Sequence, residues 1–456
     1  MGKAEVVRKR AGGKSAAAAR GPGPALALLG GPKSVTLDAG DLFRWPIVTQ
    51  EDEDAVLSVL RAGSMSGNEV TKQFEAEFAQ WIGRGHALAY PNGTDALRAA
   101  MWAVGLGAGD ELICPSMTYW ASCAQALTLG AAVNFADIDP DTLCIDPRDI
   151  EHRIGPRTRA IMAVHMTGHP CDMDAIADIA KRRKLWLIED VSHAQGSLYK
   201  GRKAGTFGDV AAMSMMSGKS FAIGEGGMLA TNDRRIYERC ISYGFYERTG
   251  AKTRWNAPDA QVTIPELKPY IGIAMGGYKH RLNQTASAMG RVQLRHYDRR
   301  IAEIQAGMNR FWDLLEGLPG IRAHRPAKGS GSTMGGWYCP RGLYRGGELG
   351  GLPVEKFCEA VRAEGVEECY SFGGSSIGLH LNRLFHTADL FNMGEPTMIS
   401  FGQRDVRQGP GTLPVTERFH ETAFGIPWFK HDRPDVIGQF AAAFRKVVEH
   451  ADDLKA

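Results

Sequence analysis

Between residue 86 and about Leu229, short apolar runs alternate with helical segments, and this alternation restricts the fold more than any other feature of the chain. Residues 86–90, 112–114, 133–136, 160–165, 185–188 and 210–213 carry the strand signal. Asn92-Gly93-Thr94 opens a helix through Leu97, Met101 and Val104, and Met173, Ile176 and Ile179 share one face of another. Parallel neighbours need a crossover, and crossover helices cover both faces of the sheet they join. The pattern therefore predicts an α/β domain with a mostly parallel sheet, whose ligands gather where strands pass into loops at their carboxyl ends.

The flanking segments are different in kind. Residues 1–34 are rich in Gly, Ala, Lys and Arg and read as a disordered leader, with ordered structure expected from near Val35. Thr49 and Asp52 form a capping-box start, Val56, Leu57 and Leu60 give an apolar helix face, and Gly63 ends that helix. Phe74, Phe78, Trp81 and Ile82 recur at helical spacing in the next. After Leu282, Tyr297, Ile301, Ile304, Met308, Phe311 and Leu315 mark a long helix, residues 328–336 a loop, and Ile437, Phe440, Phe444 and Val447 a terminal helix. The expected division is a large α/β domain over 35–295 and a smaller α+β domain over 296–456. Lys and Arg exceed Asp and Glu by 54 − 51 = 3, so charge gives no reason to expect nucleic acid as a partner. No apolar run approaches the ~20 residues of a membrane helix, and the chain is expected in the cytoplasm.

Several fragments mislead. Gly218-Lys219-Ser220 ends like a phosphate-binding P-loop, but Met213 stands where that loop needs its first glycine. Gly105 to Gly109 contains a dinucleotide-like glycine pattern, but it follows a helix and precedes a strand, so it is a turn. His420-Glu421 lacks the second histidine of a zinc protease. The eight cysteines show no CxxC pair, so no metal site is expected and the thiols read as reduced and mostly buried.

Four strand-end features remain. Lys219 lies in Ser-Met-Met-Ser-Gly-Lys-Ser, after an apolar strand and before a glycine-rich turn; a lysine held among apolar groups loses charge readily and becomes a nucleophile and base. Asp190 closes the strand at Ile-Glu-Asp. Gly93 and Thr94 open a helix straight after a strand, where free N–H groups attract an anion. Tyr119 offers a flat ring. Taken one by one, each has a commoner explanation: a snorkelling lysine, a capping acid, a helix cap, a buried aromatic. Together they meet the needs of pyridoxal 5′-phosphate, which requires an amine, an anion at the pyridine nitrogen, a flat group on the ring and donors for the phosphate.

In this order and at these positions, the residues from about Phe43 to Val447 resemble the DegT/StrS sugar aminotransferases of PLP fold type I. The likeness rests on Asn92-Gly93-Thr94-Asp95-Ala96-Leu97, Asp137-Ile138-Asp139, His165-Met166-Thr167-Gly168 and Ile188-Glu189-Asp190, and above all on Ser214, Lys219 and Gly224-Glu225-Gly226-Gly227. The resemblance implies that Lys219 binds the cofactor and moves the proton, that Asp190 partners the ring nitrogen, and that His193 lies near the phenolic oxygen. It further implies that Tyr119 stacks on the ring and that Gly93, Thr94 and Ser214 contact the phosphate. Glutamate or glutamine would be the amino donor, a keto-sugar or cyclitol the acceptor, and two chains would share each active site. The family's Gly-Tyr-Asn-Tyr-Arg is here Gly277-Tyr278-Lys279-His280-Arg281, so Lys279 stands where an asparagine reaches the neighbouring subunit's phosphate. Gly-x-Lys-x-Arg, Ser192-His193-Ala194 and the 413–418 segment resemble the branch acting on cyclitol ketones such as scyllo-inosose. Two rivals share the fold: a pyridoxamine-dependent sugar dehydratase, whose relatives carry histidine where this chain has Lys219, and a cofactor-binding regulator without turnover. Arg281, Arg404 and Arg407 are candidates for a carboxylate or phosphate, or plain surface arginines.

Overall fold

Six of the seven strands in the main sheet run parallel, and their carboxyl ends meet along one edge of the molecule. The computed structural model describes residues 25–250, 262–373, 378–402 and 404–455. The strands are β1 (His86–Tyr90), β2 (Glu111–Pro115), β3 (Ala132–Ala136), β4 (Thr158–Val164), β5 (Trp186–Asp190), β6 (Val210–Ser214) and β7 (Gly227–Thr231). Their order is β1-β7-β6-β5-β4-β2-β3, with β7 alone antiparallel. Every strand interior is buried on both faces, which is why these segments read as continuous apolar runs and not as alternating ones. Register sets the site: Val164 pairs with Asp190 and Asp190 with Ala212, so the ends of β4, β5 and β6 lie side by side.

Helices α1 (Gln50–Arg61), α2 (Glu69–Ile82), α3 (Gly93–Ala103), α4 (Met173–Arg183) and α5 (Arg234–Gly244) begin on side-chain caps where the sequence supplies them. The Thr49–Asp52 capping box forms as expected, and Asn92, Asp172 and Asp233 accept first-turn N–H groups. The burial of α1 departs from expectation. Leu57 and Leu60 are exposed, while Val59 and Asp52 turn inward, because Gln293 of the long helix α6 (Gln284–Leu314) donates to the Asp52 carboxylate at 2.8 Å. A buried polar pair decided the facing of that helix.

The C-terminal half also corrects the expected outline. A four-stranded antiparallel sheet of β8 (Ile321–Ala323), β9 (Arg341–Tyr344), β10 (Tyr370–Ser371) and β11 (Ala423–Gly425) is covered by α7 (Val354–Ala363) and α8 (Pro434–Glu449). The expected limit at 295/296 falls inside α6, and Phe385, Met398, Val406 and Leu413 pack into the core of the large sheet. Gln408 seals the edge strand β3, accepting from Phe135 N–H at 3.0 Å and donating to its carbonyl at 2.7 Å. Ordered packing also starts before Val35: Leu26 is fully buried, and the Glu364 carboxylate accepts from Ala27 N–H at 2.8 Å and Ser34 N–H at 3.0 Å. The rest of the expected leader lies outside the described residues. All eight cysteines are free thiols, seven of them buried and Cys339 partly exposed. Among the described residues, no helix is long and apolar enough to cross a membrane.

Candidate active site

A cavity of about 760 Å³ opens at the shared carboxyl edge of the strands, within the ~300–1,000 Å³ common for small-molecule sites. Gly93, Thr94, Tyr119, Asp190, His193, Ser214 and Lys219 all line it. Lys279 does not; it is exposed on the 277–281 loop, outside this chain's own cavity.

Lys219 sits on the turn after β6 and is only 8% exposed. Its Nζ lies 4.1 Å from the centroid of the Tyr338 ring, and its carbonyl accepts from the Trp45 indole at 2.8 Å. Burial pushes its pKa down, with the Asp190 charge working the other way. The turn itself is pinned from below. Gln195 donates to Ser214 O at 2.7 Å, Ser220 Oγ donates to Gln195 at 2.9 Å, and Tyr297 of α6 hydrogen-bonds Ser220 Oγ at 2.9 Å. The lysine is thus mounted on a fully paired polar network, which fixes its stem where an apolar loop would let it wander.

Asp190 ends β5 at 4% exposure. Its carboxylate accepts from Ser122 Oγ at 2.7 Å and Ser192 N–H at 3.0 Å. The preceding residue, Glu189, points to the opposite face and is fully buried. It accepts from Gly205, Phe207 and Gly208 N–H at 2.7, 2.8 and 2.6 Å and pairs with His165 at 3.0 Å. Alternation along one strand therefore gives a structural carboxylate on one face and a cavity carboxylate on the other.

His193 is half-buried beside Tyr338, with ring centroids 4.6 Å apart. Burial, reinforced by the Lys219 and Arg341 charges, holds its pKa well below the usual imidazole value. Thr167 N–H donates to His193 Nδ1 at 3.3 Å, so the neutral ring carries its proton on Nε2.

At the other end of the cavity, α3 begins on Asn92, whose side chain accepts from Asp95 N–H at 2.8 Å. The other first-turn N–H groups have no intrahelical acceptor. Two glycines let this helix start press against the sheet. A Cβ on Gly93 would lie 2.7 Å from Ser214, and one on Gly227 would lie 2.3 Å from Asn92 O. Tyr119 is 59% exposed, which disposes of the buried-aromatic alternative and leaves its ring accessible.

Sequence reasoning missed the other wall. Ser122, Tyr338, Arg341, Phe372, Thr416 and Phe419 also line the cavity. They come from a short strand, single helical turns and loops, each too brief to carry a hydrophobic period. The three arginines that the sequence offered for an anionic group lie elsewhere: Arg404 makes a two-point pair with Glu111 at 2.7 and 2.6 Å, Arg407 pairs with Asp405 at 2.6 Å, and Arg281 lies 3.9 Å from Glu247.

The architecture is that of the PLP-dependent transferases of fold type I, an α/β class in which function sits at the strand ends. The aminotransferase from Psychrobacter cryohalolentis superposes with a TM-score of 0.74 at 28% identity, over 90% of this chain and 99% of that one. L-glutamine:2-deoxy-scyllo-inosose aminotransferase of Streptoalloteichus tenebrarius is 31% identical over 432 residues, covering 90% of this chain and 95% of that protein. GDP-perosamine synthase of Escherichia coli O157:H7 is 36% identical over 255 residues, a match spanning 56% of this chain and 65% of the synthase. The sequence pattern of the DegT/DnrJ/EryC1/StrS aminotransferase family matches residues 46–375, and the chain belongs to that family.

Proposed function

We propose that the protein is a pyridoxal 5′-phosphate-dependent aminotransferase that moves an amino group from glutamine or glutamate to a keto group of a sugar or cyclitol. The observation that carries this reading is a desolvated lysine, Lys219, sharing one strand-end cavity with the buried carboxylate of Asp190 and the open first turn of α3. The cyclitol branch is supported by the near full-length likeness to a scyllo-inosose aminotransferase.

The residues fit the cofactor. The helix start, drawn against Ser214 by Gly93, offers backbone donors and hydroxyls to a phosphate. Asp190 is already held by two donors and needs no reorganisation to face a protonated ring nitrogen. Bound there, the cofactor supplies a carbonyl that takes up amines and a ring that accepts the electrons left on deprotonated carbon. Lys219, with its ammonium form destabilised by burial, would hold the cofactor and, as a free amine, would carry a proton to and from the donor α-carbon. Asp190 keeps the ring nitrogen protonated. His193, neutral and with its proton on Nε2, serves as a donor near the phenolic oxygen, and Tyr119 stacks on the ring. Lys279, on an exposed loop, serves a second copy's phosphate in a shared dimeric site.

An absorption spectrum of the protein with pyridoxal phosphate, before and after glutamine or glutamate, tests the reading. A visible band that gives way to a near-ultraviolet band, and that never forms in Lys219→Ala, is the expected result. A band that forms and ignores every amino donor would sink the transfer reaction, and no band would sink the cofactor.

A further inference from the structure

Thr167, in the turn after β4, stands in the left-handed region at φ 53° and ψ 19°. A β-branched residue is a true outlier there, and such strain persists only where the surroundings over-determine it. The turn is held at both ends: His165 N–H donates to Asp190 O at 3.2 Å, and Ser197 Oγ donates to Gly168 O at 2.8 Å. Gly168 also lets it press against the 334 segment, since a Cβ there would lie 2.6 Å from Met334 O. In the middle, the Thr167 side chain meets His324, the fully buried residue that follows β8 of the small sheet. The direction of each hydrogen bond here is fixed. Thr142 O, 2.8 Å from His324 Nε2, can only accept, so the neutral His324 ring carries its proton on that nitrogen. His324 Nδ1 is then an acceptor, and Thr167 Oγ1 donates to it at 3.2 Å. The N–H of the same threonine donates to His193 Nδ1 at 3.3 Å, which leaves the His193 proton on Nε2 of a ring that lines the cavity. A bond of that length depends on how the peptide is aimed, and the left-handed turn sets the aim. A residue of the small sheet thus governs which nitrogen of a cavity imidazole is protonated.

Resting on the aminotransferase reading above, we propose that Thr167 and His324 are positioning residues that hold His193 in its Nε2–H form, as a donor to the cofactor's phenolic oxygen. The full chain labelled with 15N-histidine, before cofactor is added, would give two-bond 1H–15N spectra that report which ring nitrogen carries the proton, with His193→Gln identifying the resonance. Wild type and Thr167→Ser, which keeps the hydroxyl, should show the Nε2–H form. Thr167→Val, Thr167→Ala and His324→Phe should shift the tautomer ratio roughly 3- to 10-fold toward Nδ1–H, the weight of one hydrogen bond. In the cofactor-loaded protein, a weaker donor leaves more negative charge on the phenolic oxygen. The pH midpoint of the visible band should therefore rise by about 0.5–1 unit in the same three variants and stay in place in Thr167→Ser. A wild-type tautomer ratio in any folded member of the three overturns the proposal, and so does a wild type that already carries its proton on Nδ1. A tautomer shift that leaves the band midpoint unmoved overturns the placement of His193 at the phenolic oxygen. If no band forms in wild type, the aminotransferase reading fails, while the spectra of the cofactor-free chain still decide whether Thr167 and His324 hold the ring.

Discussion

Adding one methyl group at Gly93 should separate the anion cradle from the rest of the fold. The Cβ of Gly93→Ala would lie 2.7 Å from Cα, Cβ and N of Ser214, where ordinary contact begins at 3.4 Å. Two of those three atoms are backbone, so no side-chain rotation relieves the clash; the start of α3 and the end of β6 must part. Overpacking of this kind costs about 1–3 kcal/mol of stability. Because the donors of the first turn and the Ser214 hydroxyl must converge on one phosphate, the same displacement should weaken pyridoxal-phosphate binding roughly 10- to 100-fold, the weight of a charge-assisted hydrogen bond or two. Gly107→Ala is the internal control: its Cβ meets nothing within 4 Å, and stability should change by no more than about 0.5 kcal/mol. Urea unfolding and a cofactor titration followed by absorbance would be run on both variants. A folded Gly93→Ala protein with wild-type cofactor affinity would refute the placement of the phosphate at this helix start.

Lys219→Ala should lose turnover by roughly 10²–10⁴-fold or more, measured as steady-state amine transfer, because the site then has neither its nucleophile nor its proton carrier. Asp190→Asn should still bind the cofactor but transfer amine about 10²–10³-fold more slowly, a loss of preorganised charge that single-turnover kinetics would detect. The His324 imidazole is held down to about 3 by burial and the neighbouring His169, while Thr142 O and Thr167 Oγ1 engage its two ring nitrogens in the neutral form. The unfolded chain takes up that proton near pH 6.5 and the folded chain does not. Its stabilising contribution is thus complete above about pH 6.5 and drains away as pH falls toward 3. His324→Gln should flatten the acid limb of a stability–pH profile by about 1.4 kcal/mol per pH unit, and an unchanged slope in urea melts across that window would contradict the neutral buried ring.

The local chemistry of this chain reached far toward its architecture. Strand positions, the caps at Thr49 and Asn92, the face of α4 and the apolar row from Tyr297 to Leu315 were all legible, since each depends on residues within a few turns of one another. So was the gathering of Lys219, Asp190, His193 and Gly93, because a parallel sheet brings successive strand ends to one edge whatever the intervening loops do. What hydrophobic period could not convey was the facing of α1, where Gln293 drew Asp52 inward and left Leu57 and Leu60 outside. Nor could it reveal that residues from Phe385 to Leu413 return to the large sheet, or that Arg341 and Tyr338 close the cavity over Lys219. Those outcomes belong to tertiary structure alone: they turn on contacts between segments a hundred or more residues apart, whose partners no local pattern specifies, and on single buried polar groups that had to find a partner somewhere in the finished fold.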